Sequence, residues 1–368
     1  MNILFKSFYL NLLLGLIMIV SCIGLVVYLT QRSSISTSAL NRSKQNLITV
    51  YSALPEDLVQ NYLARFQAEH PEIEVRLVSK VTLALFEQIV AEQDAPQADV
   101  IWGLGVTSML PLEWHHLLTS YVPNGLERVA PFFRDANTPP QWVGMSARSV
   151  AFCVNTATLA KYNLPPPASW QDLIDPQYKG HLLILTPGQT SVGYLLIATI
   201  LQLYGDTQGW EYLTQLHQNT EGRYANNASG VCEPVRNGEF AIGITYDYRA
   251  FFPDDPQMAF IIPEEGAGWE MEVNALVRRE TIKPEAKLFL DWALSDSAMA
   301  EYAKDRILTS TDFQPAATTQ ALATHLSVDM IRENLFDLDI PWIAANRDSI
   351  QAEWTERFGT DLETIDTR

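Results

Sequence analysis

Leu182 to Tyr204 reads LLILTPGQTSVGYLLIATILQLY. Its first four residues form a short apolar run, stopped by Thr186-Pro187-Gly188, and they predict a buried strand. Gln189-Thr190-Ser191 then opens a second apolar run of helical length, ended by Gly205. A strand, a tight turn and a helix start in that order belong to an α/β chain. They also make an anion site in principle. The first backbone N–H groups of a helix have no partner inside it, and the peptide dipoles there favour negative charge. Thr190 and Ser191 add hydroxyl donors, although either also serves as a plain N-cap.

Working outward, the same alternation precedes this stretch. Asn46 to Ser52 is β-branched and reads as a strand. Pro55-Glu56-Asp57 starts a helix, with proline in the first turn and acids at its positive end; Leu58, Tyr62 and Phe66 keep helical spacing until His70-Pro71. Ile73, Val75 and Leu77 alternate as a second strand, Leu83 to Glu92 is helical, and Asp99 to Trp102 is a third strand ending at Gly103. That order implies a parallel sheet whose ligands bind beyond the carboxyl ends of its strands, here Tyr51-Ser52 and Trp102-Gly103. Trp142 to Asn155 is extended throughout. Downstream, Trp210 to His217 is helical and Glu221 to Gly230 irregular; Ala241 to Tyr246, Ala259 to Ile262 and Glu270 to Val277 read as strands. From Pro284 the chain is mainly helical, through Leu288–Ala293, Ala298–Lys304 and Ile340–Phe358.

The 368 residues suffice for about two domains. With 47% hydrophobic and 18% charged residues the chain is globular, and a net charge of −18 argues against nucleic-acid binding. Residues 1–32 stand apart: Phe8 to Thr30 is almost wholly apolar and of spanning length, so this segment is a signal or, preferred on length, a membrane anchor. Ile19-Val20-Ser21-Cys22 also resembles a lipoprotein box, which makes Cys22 a lipidation candidate. Residues 33–45 are a polar linker. Either way the globular part lies outside the cytoplasm, in the periplasmic or extracytoplasmic space. In an exported domain Cys153 and Cys232 suggest a disulfide, with two buried thiols as the alternative.

Several pieces together carry a resemblance: Val50-Tyr51-Ser52-Ala53, Ala98 to Gly103, Trp142-Val143-Gly144-Met145, Ala168-Ser169-Trp170 with Asp172-Leu173, Tyr178-Lys179-Gly180, the Pro187 to Tyr194 loop, Asp247-Tyr248-Arg249 and Gly268-Trp269-Glu270. From Leu47 to Phe358 the chain resembles an extracellular solute-binding protein of an ABC importer. It is most similar to the 2-aminoethylphosphonate-binding branch, related to ferric-iron and sugar-phosphate binders. The resemblance implies a two-lobed, type II-like periplasmic-binding-protein fold: lobe one at 46–148 plus 270–368, lobe two at 149–269, and hinge strands at Trp142–Asn155 and Glu270–Val277. It implies a monomer that delivers a small ligand to an inner-membrane permease, without cofactor or catalysis.

On that reading a phosphonate or phosphate ester, foremost 2-aminoethylphosphonate, meets Thr190, Ser191 and Gly193 on lobe two and Ser52 on lobe one. Asp247 and Glu270 are the acids for an ammonium group, and Trp102, Tyr246 and Trp269 the aromatic walls. Each has a plainer role: Asp247 paired with Arg249 at the surface, the aromatics in the core. The nearer rival is ferric iron on Tyr246 and Tyr248. From another class, a membrane-tethered phospho-ester enzyme or a sensor domain is the alternative, but Gly188 to Gly193 spaces its glycines wrongly for a nucleophile elbow. No metal-ligand pattern appears, and His115-His116 reads as a solvated helix end.

Overall fold

The computed structural model describes residues 46–187, 191–226, 230–250, 252, 254–304, 308–311, 335, 337–359 and 363–365. The apolar segment, the linker, Cys22 and Thr190 lie outside the described residues. In chain order the elements are β1 (Leu47–Ser52), α1 (Glu56–Glu69), β2 (Glu74–Ser79), α2 (Thr82–Ala91), β3 (Val100–Gly105), α3 (Val106–Trp114), β4 (Leu118–Thr119), β5 (Trp142–Asn155), α4 (Thr156–Tyr162), β6 (Leu182–Leu185), α5 (Ser191–Tyr204), α6 (Asp206–Thr220), β7 (Arg223–Ala225), α7 (Cys232–Arg236), β8 (Ile242–Tyr246), α8 (Asp247–Ala250), β9 (Met258–Ile261), β10 (Trp269–Val277), α9 (Pro284–Ala293), α10 (Asp296–Tyr302), β11 (Leu308–Thr309), α11 (Ile340–Ala345), α12 (Arg347–Phe358) and β12 (Glu363–Ile365). Ile48 to Pro71 and the described residues from Val75 onward belong to one compact unit. Among the described residues no helix is long and apolar enough to cross a membrane.

The strands run β12-β7-β6-β8-β5-β10-β3-β1-β2. β1 and β3 are parallel, with Ser52 opposite Trp102, and β6 is parallel to both β7 and β8. The α/β alternation of the sequence thus builds two parallel groups, as the apolar strands require when helices cover both faces. β5 and β10 join them. The first half of β5 pairs antiparallel with β10, placing Arg148 opposite Glu270, and its second half pairs with β8 and β9. All fourteen residues of β5 are buried, which explains its density of small side chains. At Gly144, for instance, a Cβ would stand 2.6 Å from the Phe133 ring and 2.9 Å from the Met271 sulfur.

Each group has its own core. Around β3, Trp102 is fully buried and packs edge-on against Phe289 and Trp292, with its indole N–H donating to Tyr302 Oη at 3.1 Å. Around β7, Trp354 and Phe358 of α12 pack against His217 and Tyr224. The latter contacts differ from the expectation that all of 270–368 belongs with β1 and β3. β12 pairs with β7, opposite Arg223 to Ala225, and covers its otherwise open edge. α12 turns the apolar stripe Ile350, Trp354, Phe358 toward the same group. The single helix expected over Ile340–Phe358 is two, because Asn346 leaves helical geometry (φ −103°, ψ 10°) and its amide donates to Trp342 O at 2.9 Å.

Cys153 on β5 and Cys232 on α7 form a disulfide, with Cα atoms 6.1 Å apart. Two pieces of the resemblance are scaffold. Ser169 and Asp172 form a capping box: Asp172 N–H donates to Ser169 Oγ (3.1 Å), and Ser169 N–H donates to the Asp172 carboxylate (3.0 Å). Tyr178 donates to Pro165 O at 2.7 Å, and Gly180, at φ 79°, donates its N–H to Asn219 O.

Candidate functional site

The turn after β6 is built tightly. Thr186 donates both its N–H and its hydroxyl to Ala225 O, at 3.0 and 3.1 Å, which ends β6 against β7. The first turn of α5 then lies directly over this backbone. A Cβ on Gly193 would stand 2.5 Å from Pro187 Cα and 2.6 Å from Thr186 O, so only glycine allows the approach. Ser191, the first helical residue, is half-buried, and its hydroxyl lies 3.0 Å from the phenol of Tyr246 at the carboxyl end of β8. Two parallel strands, β6 and β8, therefore deliver a hydroxyl pair to one place beside a helix N-terminus.

Behind Tyr246 lies a polar seam on the connecting strands. The Arg148 guanidinium stacks 4.2 Å from the Tyr246 ring centre and donates to Glu272 at 2.6 Å, with Glu270 at 3.4 Å. Glu272 also accepts from Ser146 Oγ (2.6 Å), and Glu270 accepts from the Thr107 hydroxyl in the first turn of α3. Buried charges of this kind persist only when paired and hydrogen-bonded. Glu270 is 1% exposed and presses against Gly105, where a Cβ would stand 2.3 Å from its oxygen. It is an internal counter-ion for Arg148 and the α3 N-terminus.

Asp247, also 1% exposed, accepts from the Ser149 N–H and hydroxyl, both at 3.0 Å. Asp247 therefore lies inside the protein rather than at its surface. Arg249 reaches Asp57 near the start of α1, at 3.0 Å. The β1–α1 junction and the end of β8 thus face each other through an ion pair.

The remaining expected residues fall in different places. Ser52 is fully buried and its hydroxyl is occupied locally, donating to Trp102 O at 2.9 Å and accepting from Leu54 N–H at 3.2 Å. Trp102 is core, as its packing shows, and forms no wall. Trp269 is 6% exposed beneath the half-exposed Phe132, ring centres 4.6 Å apart. Ser191, Gly193, Tyr246 and Asp247 come together with Arg148. Among the described residues no cluster of three or more His, Cys, Asp or Glu could hold a metal ion.

Arg148, Glu272 and Thr107 were missed from sequence. The available signal was a lone arginine inside a fourteen-residue buried strand, since such a charge demands partners. Arg347, at the start of α12, was also missed. It donates to the hydroxyls of Thr107 and Ser108, both at 2.8 Å, and covers the Tyr194 ring at 4.9 Å. Burial pushes the Tyr194 phenol well above its ordinary range, so it stays neutral and donates to Ile343 O.

Residues 95–334 match the family model described as bacterial extracellular solute-binding protein. This chain belongs to that family. The solute-binding protein is 26% identical over 236 residues to the phosphoglycerate transport regulatory protein PgtC of Salmonella typhimurium, covering 63% of this chain and 58% of the relative. It is 28% identical over 203 residues to a Salmonella typhimurium protein named for periplasmic 2-aminoethylphosphonate binding, covering 54% and 57% respectively. Its fold matches the periplasmic binding protein AfuA from Actinobacillus pleuropneumoniae, solved with exogenous fructose-6-phosphate bound. The TM-score is 0.72 at 23% identity, over 85% of this chain and 98% of that one. The two parallel groups joined by β5 and β10 are thus the periplasmic-binding-protein fold, and the globular part of this solute-binding protein is extracytoplasmic.

Proposed function

We propose that this solute-binding protein captures a small phosphate- or phosphonate-bearing anion and presents it to an inner-membrane ABC permease. The observation that carries the reading is the Ser191–Tyr246 hydroxyl pair, 3.0 Å apart, at the carboxyl ends of β6 and β8 and beside the α5 N-terminus. Such donors bind an anion through charge-assisted hydrogen bonds, which are the strong ones. Thr190 would add a third hydroxyl. The ligand would sit between a lobe carrying β1 and β3 and a lobe carrying β6 and β8, with β5 and β10 as hinge. The protein would act as a monomer tethered through residues 8–29.

Within this class 2-aminoethylphosphonate carries an amine. Asp247 and Glu270 are both buried and engaged by Ser149, Thr107 and Arg148. The anion rather than the ammonium therefore leads recognition, and fructose 6-phosphate and 3-phosphoglycerate stand beside 2-aminoethylphosphonate as candidates. Calorimetry and thermal shift on the full chain in detergent, with these three compounds and ferric citrate, test the reading. At least one phosphorus anion should bind and raise the melting temperature. Tight ferric binding with no response to any phosphorus compound would replace it with iron capture.

A further inference from the structure

Three guanidinium groups stand near the carboxyl ends of β3, β6 and β8 in a protein of net charge −18. Two are neutralised. Arg148 is held by Glu272 and Glu270, and Arg249 by Asp57. Arg347 is different. Its two terminal nitrogens donate to the neutral hydroxyls of Ser108 and Thr107, it forms no direct ion pair with a carboxylate among the described residues, and its Nε is buried without a hydrogen-bond partner. It lies over Tyr194, which is three residues beyond Ser191 in the first turn of α5. A half-buried cation without a counter-ion costs solvation free energy unless an anion completes it.

We propose that Arg347 is the residue that makes the site selective for a doubly charged phosphorus group, with the ligand's second negative charge as its missing counter-ion. This rests on the anion capture proposed above. The guanidinium sits beside the N-terminal turns of both α3 and α5, so the field there is positive from three sources; the acids that offset it are Glu270, reached through the Thr107 hydroxyl, and Asp348, which also acts on Tyr194. Hydroxyls carry no net charge and a helix N-terminus only about half a unit, so they favour the dianion less than a full cation does. A fixed cation in a partly desolvated site distinguishes the two.

The test uses the full chain in detergent. The probe is whichever of fructose 6-phosphate, 3-phosphoglycerate and 2-aminoethylphosphonate gives wild type the largest heat. Calorimetry is run from pH 5 to pH 8, across the second ionisation at about pH 6. Wild type should tighten as the dianion forms. Arg347→Gln should lose roughly 10- to 150-fold at pH 8, the range for a charged hydrogen bond, and its pH profile should flatten. Ser108→Ala removes one anchor but keeps the charge, and should keep the profile. If the Gln variant melts far below wild type, Arg347→Lys decides: a retained pH profile supports the assignment, a flat one overturns it. An Arg347→Gln variant that binds within about twofold of wild type with the same profile overturns the role of Arg347 and leaves anion capture standing. Wild type binding none of the three compounds overturns both.

Discussion

Replacing Gly193 by alanine tests the construction of the site at its tightest point. The new methyl would stand 2.5 Å from Pro187 Cα, 2.6 Å from Thr186 O and 2.8 Å from Thr186 C. All three are backbone atoms, fixed by the two bonds from Thr186 to Ala225, so no side chain can rotate away. Overpacking of this kind costs about 1–3 kcal/mol. Against it stands the helix preference for alanine over glycine, about 1 kcal/mol in a helix interior and less in the first turn. The net expectation is a loss of about 1–2 kcal/mol. At about 2–4 °C per kcal/mol for a domain of this size, the melting temperature falls by several degrees. Relief of the overlap has to lift the first turn of α5, which carries Ser191 away from Tyr246. Ligand affinity should therefore drop about tenfold, the value of one hydrogen bond to an anion. Differential scanning fluorimetry and calorimetry on the same preparation measure both. A variant that melts at or above wild type with unchanged affinity would refute the close packing and its role in placing Ser191.

Further outcomes are expected. Ser191→Ala should weaken anion binding by about 1–3 kcal/mol in titration calorimetry, and an unchanged affinity would remove the hydroxyl from the site. Asp57→Asn breaks the pair to Arg249; the pair is exposed, so ligand affinity should fall by only about 0.2–1 kcal/mol, and the difference should vanish at high salt. Alkylation mass spectrometry without reductant should find Cys153 and Cys232 unmodified, and reducing their bond should cost about 2–5 kcal/mol in a melt. Burial pushes the Asp172 carboxyl up, but the N–H groups of Ala168 and Ser169 and the Ser169 hydroxyl outweigh it and hold the group below its usual 3.8. Its folded value being the lower, its contribution is complete above the unfolded value and is lost as pH falls through the folded one. Acid melts of Asp172→Asn should converge with wild type there, and a constant gap would count against the capping box.

The order of strands and helices was legible because it depends on local patterns. β1, β5, β6, β8 and β10 carry apolar or alternating runs bounded by turn residues, and α1 opens on a proline followed by two acids. The glycine-containing turn before Ser191 located the α5 N-terminus, since a stopped strand followed by hydroxyls has few other readings. β12 and the edge of β7 were not legible: three-residue strands hold too little periodicity, and what defines them is each other. The partners of charged side chains were out of reach for the same reason. Sequence could mark Glu270 and Asp247 as acids beside aromatic residues. Only the sheet register, setting Arg148 opposite Glu270 and Tyr246 opposite Val150, decided that both carboxylates are spent inside the protein. Ser52 likewise ended the right strand, but its hydroxyl was claimed by the neighbouring strand's carbonyl across the sheet. Local propensity selects elements over a few residues, whereas the partners of a charge are brought together across 122 residues for Arg148–Glu270, 192 for Asp57–Arg249 and 240 for Thr107–Arg347.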